Sequence, residues 1–289
     1  MSHPPQRAPR RSLTSHLDSE RLGPFLAVIL CAAGCASEPD SAAPLAALST
    51  PLPLRTDAAS VFTPGEALLY DVAFGPLEVG TLAYRTEAVD GEDGPAWRIE
   101  GTTKPRGLFA AFAKAGGVTR AIVDRRTLRP SSFFWVTAVM PDPLVRTAAF
   151  DGRTAEVRTA AYQDGWLLTK THRGATFFDP LSAMFALRAI EPPPPGEELR
   201  LLSVEGVQLH LLTVRTVGPE TIRLKPGGDE YETLKLSIRG DRLGDDGALG
   251  GGPPLNNFFL WLDLTPQRKP LKLAGRIAFG GVTATLRLP

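Results

Sequence analysis

The chain has 289 residues, 43% of them hydrophobic, which is enough apolar material for a substantial core, and a formal net charge of +1. Residues 1–34 hold four arginines and two acids, so the remainder carries −1; without a basic cluster, that balance excludes nucleic acid and polybasic membrane attachment. Both cysteines, Cys31 and Cys35, stand near the N-terminus and none follows, so the body of the chain has no disulfide framework.

Arg7, Arg10, Arg11 and Arg21 precede an uncharged apolar run from Gly23 to Gly34, the order of an export signal. A run of about a dozen residues is too short for the hydrocarbon core, which takes roughly 20. Ala32-Ala33-Gly34-Cys35 then resembles the bacterial lipoprotein box. The resemblance implies that residues 1–34 are cleaved and that the Cys35 sulfur is diacylated, anchoring the chain to a membrane; Cys31 leaves with the signal. Ala36, rather than Asp, follows Cys35, which by the same resemblance implies an outer-membrane lipoprotein facing the periplasm. A plain secretory signal is the alternative, giving a secreted or soluble periplasmic protein.

Residues 35–60 comprise the lipidated cysteine and a stretch rich in Pro, Ala and Ser without helical or strand period. It reads as a tether reaching about 25–30 Å as a coil. From residue 61 to 289 the pattern changes to one β-rich domain. ALLYDVAF, GPLEVG and TLAYRTEAV read as strand, turn, strand, and Trp97–Thr103, Gly117–Asp124 and Ser131–Val139 continue the habit. Turn signals at Asp151-Gly152 and Asp164-Gly165 separate three further alternating runs. ELRLLSV, VQLHLLTVRTV, YETLKLSIR, FFLWLDL and VTATLRLP follow toward the C-terminus. Roughly a dozen short strands with two short helices predict a mainly β fold, an antiparallel barrel or sandwich.

The first helix lies in KPRGLFAAFAKAGG, opened by Pro105 and ended by Gly116-Gly117, with Leu108, Phe109 and Phe112 on one side. It either plugs one end of the barrel or covers a ligand mouth around Gly107 to Ala115. In DPLSAMFALR, Asp179 caps the second helix, Pro180 suits its first position, and Leu181, Met184, Phe185 and Arg188 share a face. That face is expected to be buried. Arg188 then requires a partner, expected to be Glu66 or Asp124.

Several stretches carry a resemblance: Phe62-Thr63-Pro64-Gly65-Glu66 with Leu69-Tyr70-Asp71-Val72; Asp124 to Pro130; Asp179-Pro180-Leu181-Ser182-Ala183 ending in Arg188; and Leu260-Trp261-Leu262 before Arg268-Lys269-Pro270. Together they resemble the bacterial domain of unknown function family numbered 3108, over about Phe62 to Leu288. The resemblance implies an exported β-rich domain; Glu66, Asp124, Asp179, Arg188 and Trp261 are expected to be structural. It implies no reaction. Where the family carries an acidic pair after its Trp strand, this chain has Asp263-Leu264-Thr265-Pro266.

Catalytic chemistry has little to build on. Beyond residue 34 the histidines are His172 and His210, each inside a strand pattern, and there is no G-x-S-x-G elbow. Two histidines without clustered carboxylates make a poor metal site, and Asp241, Asp245 and Asp246 match no calcium loop. The chain is therefore expected to be non-enzymatic, with no metal and no cofactor. Two functions fit: binding an apolar small molecule or lipid in a β-barrel cavity, or assembly with an envelope protein partner through an exposed edge or apolar patch.

Overall fold

The computed structural model describes residues 45–48, 52–107, 110, 116–137, 144–163, 165–244, 247–250, 255–277 and 280–288. Cys35, the export signal and most of the tether lie outside them, as do Leu108, Phe109 and Phe112 of the first expected helix.

The first eight strands are a meander: β1 (Ala67–Phe74), β2 (Leu77–Gly91), β3 (Gly94–Pro105), β4 (Gly117–Asp124), β5 (Pro130–Thr137), β6 (Leu144–Asp151), β7 (Glu156–Gln163) and β8 (Trp166–Arg173). The short β9 (Phe177–Phe178) and the helix α1 (Pro180–Ala189) follow. A second meander then runs β10 (Leu199–Glu205), β11 (Gln208–Arg223), β12 (Glu230–Leu243), β13 (Leu255–Asp263), β14 (Pro270–Ile277) and β15 (Gly280–Leu286). Pairing of β1 with β15, as in Tyr70 opposite Leu286, joins the two meanders into one fifteen-stranded sheet with β8 and β9 at its ends. All its pairings are antiparallel except that of β9 with β10.

Period-two alternation is what makes these segments strands. In β1, Leu68, Tyr70 and Val72 point into the core while Ala67 and Leu69 remain exposed. At one end of the sheet, carboxylates close the turns. Asp124 accepts from the backbone N–H of Thr127 at 2.6 Å, Asp151 from that of Arg153 at 2.9 Å, and Asp263 from that of Lys269 at 3.0 Å.

The sheet curls around α1 so that its distant strands face each other. Arg146 on β6 forms an ion pair with Glu205 on β10, and the His172 ring on β8 lies 6.2 Å from that of Phe177 on β9. Among the described residues no strand pairing closes the ring between β8 and β9, so the architecture is an open sheet rolled into a barrel-like shell.

Three expectations are corrected. Among the described residues the strands number fifteen and several are long: β2, β11 and β12 have 15, 16 and 14 residues. A register shift between Thr216 and Gly218 lets β11 bend within the curled sheet without ending. Most of the first expected helix lies outside the described residues, and the two of its residues that are described, Gly107 and Ala110, lie in helix. The burial of α1 is not confined to one face, since Ala183, Ala186 and Leu187 are buried along with Leu181, Phe185 and Arg188, while Met184 is only half-buried. A helix enclosed by a curled sheet contacts apolar walls on most sides. Finally, residues 52–60 of the expected tether are docked: Leu54 bridges Ile190, and the backbone N–H of Arg55 donates to Ala189 at 2.9 Å.

Candidate ligand cavity

Curling leaves a partly open cavity of about 130 Å³ between α1 and the sheet. Leu82 and Tyr84 of β2 and Phe133 and Trp135 of β5 form one wall. Leu201, Leu212 and Val214 of β10 and β11 form another, with Ile238, Phe258, Leu260 and Leu273 beyond them. Leu181, Met184 and Leu187 supply the α1 side. Glycines keep the walls thin. A Cβ at Gly101 would come within 2.5 Å of Thr119 Cγ2 and 2.8 Å of the Tyr84 ring, and one at Gly275 within 2.3 Å of the Phe258 ring. The large rings therefore lie flat across neighbouring strands.

One carboxylate, Glu205, lines this apolar space and is itself buried. Its partner Arg146 stacks over Trp135, with Cζ 4.5 Å from the ring centroid. His210 shares the face of β11 that carries Leu212 and Val214, and stands opposite Ser203, between Leu201 and Glu205 on β10. Burial lowers its pKa against the opposing pull of Glu205, so the imidazole is neutral near pH 7. Neither of its ring nitrogens has a hydrogen-bond partner among the described residues. Ser203 and His210 therefore face each other without the hydrogen bond that a nucleophile–base pair requires. The Tyr84 hydroxyl is likewise buried without a partner, and burial pushes its pKa well above the usual phenol range.

The residues singled out from the sequence lie elsewhere. Arg188 is fully buried and makes two bonds to Glu66, Nη1 to Oε2 and Nη2 to Oε1, each 2.8 Å. Its guanidinium also donates to the carbonyls of Val61 at 3.0 Å and Gln267 at 3.1 Å, and lies 5.0 Å from the Phe62 ring centroid. One group thus ties α1 to the segment before β1 and to the β13–β14 turn. Asp124 is not its partner; that carboxylate is used by the turn after β4, as described above. Asp179 caps α1 by accepting from Leu181 and Ser182, both at 2.9 Å, while Ser182 Oγ accepts from the Asp179 N–H. Burial pushes its carboxyl up to about 6. Trp261 packs on the outer face of the sheet between Lys235 and Lys272, at 4.8 and 5.1 Å from its ring. Lys235 also pairs with Glu220 at 2.8 Å and holds that carboxyl below its ordinary value. Leu108, Phe109 and Phe112 lie outside the described residues, as does Cys35.

Sequence reasoning did not find Glu205, Arg146 or Tyr84. The alternation Leu201, Ser203, Glu205 was a usable signal, because it places the acid on the same face as a core leucine. Just before Gly206, however, a glutamate also reads as an ordinary turn residue. Among the described residues no group of three or more His, Cys, Asp and Glu could hold a metal, and no helix is long and apolar enough to cross a membrane.

A curled antiparallel sheet enclosing a helix and a mainly apolar cavity defines a barrel-like β protein. The chain belongs to the protein family of unknown function DUF3108, whose model matches residues 69–287. A crystal structure of a beta-barrel-like protein of the domain of unknown function DUF1849, from Brucella abortus, is similar to it at 10% identity, with a TM-score of 0.47 over 76% of this chain and 94% of that one. No curated protein matches the chain.

Proposed function

We propose that this is a non-catalytic envelope protein, anchored through a lipid on Cys35 to the periplasmic side of the outer membrane, that takes an apolar small molecule into the cavity beside α1. The observation that carries the reading is the cavity itself: about 130 Å³ bounded by Leu, Phe, Val and Ile side chains, with a single carboxylate in its wall. An apolar space of about 150 Å³ stays dry and accepts benzene, so a void of this kind favours occupation by an apolar molecule over water. The test is thermal unfolding of the full chain with benzene or with 1-hexanol. A ligand at a hundred times its Kd stabilises the folded state by about 2.7 kcal/mol. An unchanged midpoint with both compounds would sink the reading. The anchor is tested separately by detergent-phase partitioning, in which wild type enters the detergent phase and Cys35→Ser remains aqueous.

A second reading, assembly with an envelope partner, draws on β8. This strand ends the sheet, and Trp166, Leu167 and Leu168 on it are 74%, 65% and 44% exposed. An apolar strand with an unpaired edge can accept a strand from another chain. If Leu167→Lys leaves ligand-induced stabilisation intact but abolishes co-purification of an envelope partner, assembly is the function to pursue.

A further inference from the structure

Resting on the cavity reading, and naming its ligand class, we infer that the cavity selects a neutral, ring-sized molecule carrying a hydroxyl group, such as a phenol or a cyclic alcohol, over a hydrocarbon and over a free acid. The inference starts from polar atoms that the protein buries at the cavity and does not pair. Tyr84 lines the cavity, is 2% exposed, and its hydroxyl has no hydrogen-bond partner among the described residues. His210, beside the lining rather than in it, is 5% exposed, shares the face of β11 that carries the lining residues Leu212 and Val214, and has no partner for either ring nitrogen among the described residues. Thr137, fully buried and opposite the cavity-lining Gly117, has a hydroxyl without a partner among the described residues. Buried polar groups are hydrogen-bonded in the great majority of cases, so the unpartnered Tyr84 hydroxyl in the wall, with the His210 ring and the Thr137 hydroxyl next to lining residues, marks where a ligand's own polar group belongs.

Their chemistry decides the class. A phenol hydroxyl and a neutral imidazole each donate one hydrogen bond and accept another, which matches a ligand hydroxyl that does the same. The cavity's charged group is Glu205, already neutralised by Arg146. A ligand carboxylate would therefore lose its hydration beside another carboxylate whose cation, Arg146, is already engaged. The volume limits the buried part to about one six-membered ring.

Calorimetric titration of the full chain with phenol, benzene and benzoate tests this. Phenol should bind about tenfold more tightly than benzene, the scale of one net hydrogen bond, and benzoate more weakly than both. Tyr84→Phe and His210→Leu should each keep benzene binding, and at least one should bring the phenol preference to near unity. Tyr84→Phe is nearly isosteric and removes an unpaired hydroxyl, so without ligand it should melt no lower than wild type. Equal binding of phenol and benzene by wild type overturns the inference while leaving the cavity reading intact, and so does a phenol preference that survives in both variants. Binding of none of the three compounds defeats the cavity reading along with it.

Discussion

Arg188 ties three separate parts of the fold together. Fully enclosed, it satisfies Glu66 and two main-chain carbonyls at once. Removing it leaves a buried carboxylate and orphaned acceptors, so Arg188→Ala should lower stability by about 3–5 kcal/mol in chemical denaturation. The pair Arg188→Met with Glu66→Leu should lose less than that, because no uncompensated charge remains. Asp179 yields a pH dependence. Its carboxyl titrates at about 6 in the folded chain against an ordinary 3.8, so between those values the folded state holds a proton that the unfolded chain has released. Its contribution to stability is therefore largest below pH 4, falls as pH rises from about 4 to 6, and stays low above. Asp179→Asn keeps a capping oxygen but does not titrate. Relative to this variant, wild type should lose on the order of 3 kcal/mol across the window, measured as the difference between two stability-versus-pH curves. A flat difference would mean that the carboxyl is solvated.

At the scale of elements, the β13–β14 pair sets the shape of the cavity. Phe258 stands directly opposite Gly275, and its ring covers the space that a side chain there would need. Gly275→Ala forces the ring away, and because Phe258 lines the cavity, the displacement is inward or strains the strand. Overpacking of this kind costs about 1–3 kcal/mol. The expected outcome is a lower melting midpoint together with weaker benzene binding than wild type. Loss of stability with unchanged benzene affinity would instead place the strain in the sheet. The same pair shows why β13 tolerates two buried faces: Leu260 and Leu262 fill the interior, while the ammonium groups of Lys235 and Lys272 lie over the Trp261 ring outside.

For the whole molecule, the decisive contact is between the first and last strands of the sheet. Each meander is held together by neighbours in sequence, but the two are joined in the sheet through β1 and β15. Truncation before Gly280 removes β15 and leaves Leu68, Tyr70 and Val72 of β1 without the strand that continues their layer. Such a chain should lose cooperative thermal unfolding altogether, not merely melt a few degrees lower, as near-ultraviolet circular dichroism would register. A sharp transition in the truncated chain would show that the two meanders fold independently.

Local physics made part of this legible in the chain alone. Period-two alternation marks one face of each strand as apolar whatever it packs against, so the mainly β class follows from the sequence, and Asp179-Pro180 opens α1 by satisfying the first free N–H groups of the helix from side chains two and three residues away. The buried position of Arg188 could be read too, because it shares a helical face with Leu181 and Phe185. Choosing Glu66 over Asp124 was beyond the sequence: both are acids near strand ends, and only the docking of α1 against the segment before β1 brings one within 2.8 Å. The cavity belonged wholly to tertiary structure. Tyr84 on β2 lies far in sequence from Glu205 and His210 on the β10–β11 hairpin, each looks locally like an ordinary strand or turn residue, and it is the curl of the sheet that brings the two regions to one space.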